Sequence, residues 1–284
     1  MVEPVTEHAA EVAAGQRFQF GENWRRFLLR LNEERIEEAE ASLRERFDCE
    51  NLEGKTFIDV GSGSGLFSLA ARRLGARVRS FDYDPQSVGC TSTLKERYFD
   101  GDPDWTIERG SVLDVDFLKT LGTYDIVYSY GVLHHTGQMW KALENILLLM
   151  QPGGVLFVAI YNDQGQKSVR WLKKKKRYNA LPSFLRVPYI LSIMAPKHIM
   201  MFLISLARLR PQNYFGVWTT RRGMNPWYDM VDWIGGYPFE VAKPEEIVSF
   251  YRARGLWLES LMTTLAHGNN EFVFKNYDVP GSNG

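Results

Sequence analysis

The stretch TFIDVGSGSGLFSLAARRLGARVRSFDYD, Thr56 to Asp84, decides the fold. Thr56 to Val60 is a short apolar run with β-branched residues and no breaker, which predicts a buried strand. Gly61, Gly63 and Gly65 follow at once, and Leu66, Leu69, Ala70 and Leu74 then recur at helical spacing. Gly75 ends that helix, and Ala76 to Phe81 predicts a second strand with Asp82 at its tip. Glycines let backbone approach a ligand closely and adopt angles that other residues resist. The N–H groups of a helix start face such a ligand. A carboxylate at the end of the second strand can accept both hydroxyls of a ribose. The stretch therefore reads as a nucleoside-binding device at the carboxyl edge of a parallel sheet. A dinucleotide turn would space its glycines G-x-G-x-x-G, whereas here they run G-S-G-S-G behind Asp59. On these residues alone a nicotinamide or flavin site, and a glycine turn with no ligand, stay open.

Further elements follow in order. Pro85 to Phe99 has a helical pattern, and the turn signal DGDPD closes it. Trp105 to Glu108 predicts a third strand, followed by GSVLD and Asp114. TYDIVYSYGVLHH predicts a fourth strand, whose exit carries Ser129, Tyr130, Gly131, His134 and His135. Met139 to Met150 predicts a helix, QPGG a tight turn, and Val155 to Tyr161 a fifth strand. Near the C-terminus, PEEIVSFYRARG predicts a capped helix, Leu256 to Thr264 a sixth strand and EFVFK a seventh. Upstream, Trp24, Phe27, Leu28, Leu31, Ile36, Ala39 and Leu43 fit one or two amphipathic helices, while residues before about Phe18 read as disordered or loosely held and the tail DVPGSNG as disordered.

The D-V-G-S-G-S-G turn, the Y-D-I-V strand, L-H-H, a helix and QPGGVLFVAIY come in one order over Thr56–Tyr161. Together they resemble the class I S-adenosylmethionine-dependent methyltransferase superfamily, most closely its bacterial quinone- and small-molecule-methylating branch. The resemblance implies an α/β fold: a Rossmann-like, seven-stranded sheet flanked by helices, its seventh strand antiparallel between its neighbours. It implies S-adenosyl-L-methionine as cofactor and S-adenosyl-L-homocysteine as product. Its donor site would take Asp59, Gly61, Ser62, Gly63, Gly65, Asp82, Tyr83, Leu113, Asp114 and Tyr130. Asp114 would reach the adenine amino group; capping a helix is the other reading of that residue.

The chain has 284 residues, 45% hydrophobic and 24% charged, with net charge zero. That is ordinary for a globular protein and offers no global field to attract nucleic acid, so no nucleic-acid partner is expected. Two isolated cysteines, Cys49 and Cys90, argue against a disulfide framework or zinc site and fit a reducing, cytoplasmic setting. The acidic N-terminus has no signal-peptide pattern. The expected division is an N-terminal helical extension over 1–54, a donor-binding core over 55–161, an insertion over 162–243 and a C-terminal part of the core over 244–284.

The insertion is far longer than a connecting loop needs. Its first part is basic and apolar, with helices expected to break at Pro182, Pro188 and Pro196; its second part is rich in Trp, Tyr, Gly and Pro. Following strand five, it is expected to lie above the carboxyl edge as a lid over the methyl acceptor. Arg221 and Arg222 could pair with an anionic group or stay solvated. Trp227 and Tyr237, with Tyr228 and Trp233, could cage an acceptor or form lid core. Trp24, with Phe18 and Phe20, could line the acceptor site or serve as a packing anchor, the more frequent outcome, and Asn162 could hydrogen-bond the acceptor. The basic run Lys173–Arg177 beside apolar Val187–Ala207 reads as a solvated face, or, over 167–207, as a peripheral membrane contact. Pro196, Lys197 and His198 split the apolar window, so it is not expected to span a bilayer.

Methyl transfer from a sulfonium is an in-line displacement, so the protein must align donor and acceptor, exclude water and, where needed, take a proton. His134 and His135 are the candidate bases, with His135 favoured as the one facing the acceptor. Tyr161 could hydrogen-bond the acceptor or be a packed strand end. Adjacent histidines chelate poorly together, and no metal is expected. The expected activity is methylation at O, N or S of a small-molecule acceptor. A lipid-like or quinone acceptor at a membrane, an RNA or protein acceptor, and a non-catalytic nucleoside-binding protein are the alternatives. Monomer and homodimer both stay open.

Overall fold

A computed structural model of the chain describes residues 7–207, 226–265 and 268–277. These form two compact units, one of residues 1–18 with 169–237 and one of residues 19–168 with 238–284. The expected N-terminal extension is therefore divided: its first eighteen residues group with the insertion, the rest with the sheet.

The larger unit holds seven strands: β1 (Thr56–Val60), β2 (Arg77–Asp82), β3 (Trp105–Arg109), β4 (Tyr124–Tyr130), β5 (Met150–Tyr161), β6 (Leu256–Met262) and β7 (Asn269–Asn276). They run in the order β3-β2-β1-β4-β5-β7-β6. β1 to β5 are parallel, and β7 is antiparallel to both β5 and β6. This is the methyltransferase form of the Rossmann-like sheet. The topology reverses beside β1, where β4 lies on one side and β2 on the other, and in such sheets ligands bind outside the carboxyl ends at that crevice.

Alternation along the strands sends side chains to two cores. Ile58, Val60, Val127, Leu156, Val158, Phe272 and Phe274 pack against α6 (Val115–Leu121), α7 (Met139–Asn145) and α11 (Pro244–Arg252). Phe57, Tyr128, Phe157 and Val273 pack on the other face, against α3 (Glu33–Phe47), α4 (Leu66–Arg73) and α5 (Pro85–Tyr98). Truncating one such fully buried leucine to alanine costs about 2–5 kcal/mol. The helix expected over 139–150 is shorter than its apolar pattern: it tightens to 3-10 turns over Ile146–Leu149, and β5 begins at Met150. QPGG lies within β5 as an irregularity, because Gly153 takes a φ of 72° and a Cβ on Gly154 would sit 2.9 Å from the Gln151 carbonyl oxygen.

The smaller unit is helical: α1 (Glu7–Ala13), α8 (Gln166–Ala180, its first residues shared with the larger unit), α9 (Ser183–Ala207) and α10 (Pro226–Gly235). Residues 7–17, expected to be disordered or loosely held, instead hold α1, because partners distant in sequence fix them. His8 is buried, the Phe18 N–H donates to the Tyr237 carbonyl at 2.8 Å, and the Phe18 ring meets Tyr178. α8 and α9 part at Pro182, but α9 continues through Pro188 and Pro196. Proline's φ is itself helical, so it costs one hydrogen bond and a bend without forbidding the next turn. Within the basic run the structure departs again from a solvated face: Lys175 is fully buried and donates to the Trp233 carbonyl. Burial holds its ammonium pKa down at about 7. The tail, 278–284, lies outside the described residues.

Candidate functional site

The site is built in the sheet unit, from the β1 turn outward. Gly61, Gly63 and Gly65 have φ of 80°, 55° and 81°, the left-handed region where a side chain is strained. A Cβ on Gly61 would lie 2.4 Å from Val132 Cγ1, so the exit of β4 sits directly on the turn. A Cβ on Gly63 would lie 3.1 Å from Trp24 Nε1, so the indole of α2 (Phe20–Leu28) covers the turn from above. The entry of α2 is pinned by Asp84, which accepts from the Gly21 N–H at 2.8 Å and from the Gln86 N–H at 2.9 Å. Ser62 is held by the Thr91 hydroxyl at 2.9 Å.

Asp82 ends β2 beside this turn. Its carboxylate accepts from the Gly63 N–H and the Asp84 N–H, each at 2.9 Å. Burial pushes its pKa up to about 6 against the pull of these donors. Asp59 is buried deeper and accepts from Ser68 Oγ at 2.6 Å. Ser68 accepts in turn from Ser80, and Ser80 from Trp105 Nε1. This chain ties β1, α4, β2 and β3 together beneath the turn. Desolvation raises Asp59 to about 7. Asp59 thus supports the turn from below, while Asp82 edges the crevice.

The second part of the site lies at the ends of β4 and β5. His134 and His135 occupy a 3-10 turn, Leu133–His135, and behave differently. His134 is fully buried, packs at a tilt on Tyr161 with centroids 3.9 Å apart, and its Nδ1 accepts the Tyr161 N–H at 3.3 Å. An amide N–H only donates, so that Nδ1 carries no proton. His135 Nδ1 lies 2.6 Å from the Pro238 carbonyl oxygen. A carbonyl only accepts, so this Nδ1 carries the proton, and in the neutral ring the basic lone pair sits on Nε2. The two neighbours are opposite tautomers. Phe20 lies 4.8 Å from the His135 ring, and Phe239 lies 5.5 Å from the Tyr161 ring. The segment after Pro238 is held in place by the Glu240 N–H on the His134 carbonyl and by the Glu240 carboxylate on the Met139 N–H.

The other expected site residues divide. Tyr83 follows Asp82, and its carbonyl accepts from Arg109. Leu113 lies in the loop after β3, partly buried against the core. Asp114 takes the capping role: its Oδ1 accepts the N–H groups of Asp116 and Phe117 at the start of α6. Tyr130 stacks on Phe67 and donates to Glu271 on the far face of β4. Asn162 donates its amide N–H to the Thr264 carbonyl and its amide oxygen accepts from the Asn270 amide, bracing the end of β5 against β7. Trp227 and Tyr237 belong to the helical unit, and Arg221 and Arg222 lie outside the described residues. Among the described residues no three His, Cys, Asp or Glu side chains cluster to hold a metal. Sequence reading missed Val132 and Pro238. Val132 has a signal, being bulky one residue after Gly131 at the strand exit; the Pro238 carbonyl has none.

A family model described as a methyltransferase domain matches residues 24–256. A ubiquinone biosynthesis O-methyltransferase of Paraburkholderia xenovorans is 29% identical over 119 residues, 39% of this chain and 47% of that protein. One from Rhizobium etli is 30% identical over 111 residues, 39% of this chain and 43% of that protein. The matched region thus spans less than half the length of either relative. Among solved structures, a magnesium protoporphyrin IX methyltransferase from Synechocystis, bound to SAH, superposes with a TM-score of 0.50 over 97% of this chain and 90% of that one, at 12% identity. PKMT2 from Rickettsia typhi gives 0.58 over 85% and 53%, also at 12% identity. At that identity the likeness is one of fold. The family match runs from the indole that covers the glycine turn, through Asp82 and the histidine pair, to the first residue of β6, and this chain belongs to the methyltransferase domain family.

Proposed function

We propose that this protein transfers the methyl group of S-adenosylmethionine to a hydroxyl of a small aromatic acceptor, with His135 as the general base. The observation that carries the reading is the His135–Pro238 hydrogen bond. It turns the ring so that Nε2 is the proton acceptor, three residues along the chain from the Val132 side chain that rests on the glycine turn. The donor fits the residues present. Asp82 spends lone pairs on two backbone N–H groups and keeps others that suit a ribose diol. The positive-φ glycines leave the turn without side chains on the ligand side.

The sulfonium supplies an already activated methyl group, so the protein's own share is alignment, exclusion of water and proton removal. Orientation of this kind is worth about 7–11 kcal/mol. Trp24 and Phe20 shield the turn and the His135 ring. His135 Nε2 takes the hydroxyl proton as the oxygen attacks, and the Pro238 carbonyl stabilises the imidazolium through Nδ1–H. An oxygen acceptor is supported by the names of the curated relatives, O-methyltransferases of ubiquinone biosynthesis, and by the rings of Phe20, Tyr161 and Phe239 around the histidines. A cytoplasmic location accords with the free thiols of Cys49 and Cys90.

The test is methyl incorporation from labelled donor into a panel of hydroxylated, amino and thiol aromatics. Labelling of catechol-type hydroxyls, lost in His135→Gln with donor binding retained, is expected. Labelling confined to amines or thiols would overturn the oxygen assignment.

A further inference from the structure

We propose that α9, together with the basic face of α8, docks this protein onto the surface of a bilayer that carries anionic phospholipid. The proposal goes beyond the methyl-transfer reading and does not depend on it. α9 is 25 residues long, and Ser183–Ile204 is apolar and long enough to match a bilayer's hydrocarbon thickness, yet only 6% of its most apolar window is buried. Phe184 is 74% exposed, Ile199 58% and Leu203 56%, and Leu191 is half exposed. Single exposed apolar residues need no explanation, but a contiguous apolar helix of this length marks a contact surface.

Charge decides what covers it. Neither α8 nor α9 contains an Asp or Glu, and Arg170, Lys173, Lys176 and Arg177 of α8 are exposed. The two helices are packed as one element: Tyr189 of α9 donates to the Lys174 carbonyl, Arg177 lies over the Tyr189 ring, and Arg186 donates to the Leu181 and Asn179 carbonyls at the corner. A second copy seated on this face would bring like charges together. An anionic headgroup layer neutralises the cations while the acyl boundary receives the apolar side chains. The helix lies in the interface rather than crossing it. Because Arg177 of α8 lies over Tyr189 of α9, a crossing α9 would carry that cation towards the hydrocarbon, whereas an in-plane helix leaves it at headgroup level.

The test is flotation of the full chain with vesicles of phosphatidylcholine, with and without phosphatidylglycerol, at low and high salt. The protein is expected to float with the mixed vesicles, and about tenfold less with phosphatidylcholine alone or in high salt, as screened surface charges require. Leu191→Glu/Ile199→Glu/Leu203→Glu and, separately, Arg170→Glu/Lys173→Glu/Lys176→Glu are each expected to abolish flotation while circular dichroism and donor binding stay unchanged. These positions are exposed, so neither variant removes a buried contact. No flotation of the wild type, flotation indifferent to phosphatidylglycerol, or an apolar-face variant that only converts a dimer to a monomer would overturn the proposal; the last would assign the face to a second copy. Since donor binding is read independently, a failure here is distinct from a failure of the methyl-transfer reading.

Discussion

In the sheet unit Phe57, Phe81, Phe157, Phe272 and Phe274 are sealed inside, and the glycine turn is bordered by buried hydroxyls, the Trp24 indole, Val132 and the Asp82 carboxylate. In the helical unit the order is reversed: α9 shows Phe184, Ile199 and Leu203 outward, while a lysine, Lys175, is sealed inside. The buried ionisable groups are opposite as well, an acid at Asp59 and a base at Lys175. The first unit spends its apolar residues on rigidity around a site whose atoms must be placed closely. The second leaves apolar surface exposed, which stabilises nothing within the chain and matters only for what lies outside it.

The comparison breaks most directly at the histidines. His135→Gln is expected to lower kcat by about 10²–10⁴-fold, the usual contribution of a general base, with donor affinity unchanged by calorimetry. Gly61→Ala is the next largest. It forces a side chain to φ 80° and into Val132, and the strain and overpacking together should cost about 2–5 kcal/mol of stability, measured by denaturant unfolding. Asp82→Asn keeps the shape but removes the charge. Donor affinity should fall by roughly tenfold or more, as expected for loss of hydrogen bonds to a charged group. In the wild type the same loss should set in as the pH drops through about 6, where Asp82 takes up a proton.

Stability against pH sharpens the contrast between the units. The folded chain holds the Asp59 carboxyl up to about 7, against an ordinary 3.8, so the fold keeps a proton that the unfolded chain has released. Stability is therefore lost as pH rises from about 4 through 7, and Asp59→Asn should flatten that slope. Lys175 has the opposite sign. The fold favours its neutral amine, so stability is lost as pH falls from the ordinary 10.5 through about 7, and Lys175→Met should flatten that higher window. The smallest effect belongs to α9. Ile199→Ser, at an exposed position, should leave unfolding free energy within about 0.5 kcal/mol and turnover of a water-soluble acceptor unchanged.

Local chemistry made much of this legible before any coordinates. Thr56–Val60 is a strand because five consecutive residues suit burial and none breaks it, and β1 has those bounds in the structure. The turn glycines were legible because only glycine takes φ near 80° without strain. The antiparallel β7 was an expectation of the family resemblance rather than of local chemistry, and the structure has it so. Other readings failed where partners come from far along the chain. Residues 7–17 read as a disordered or loosely held terminus, but α1 is held through Phe18 by Tyr237 and Tyr178. Pro188 and Pro196 look like helix ends, but the turns on either side continue.

The sequence by itself determined the order of strands and helices, the glycine turn and the carboxylate one strand over, because periodicity, β-branching and glycine's freedom act within a few residues. Only the tertiary structure decided which tautomer each histidine takes. That choice rests on a carbonyl at Pro238, about a hundred residues beyond His135, and on the Tyr161 N–H that reaches His134. A hydrogen bond fixes a tautomer only when donor and acceptor are brought face to face, and nothing in the spacing of residues along the chain records that meeting.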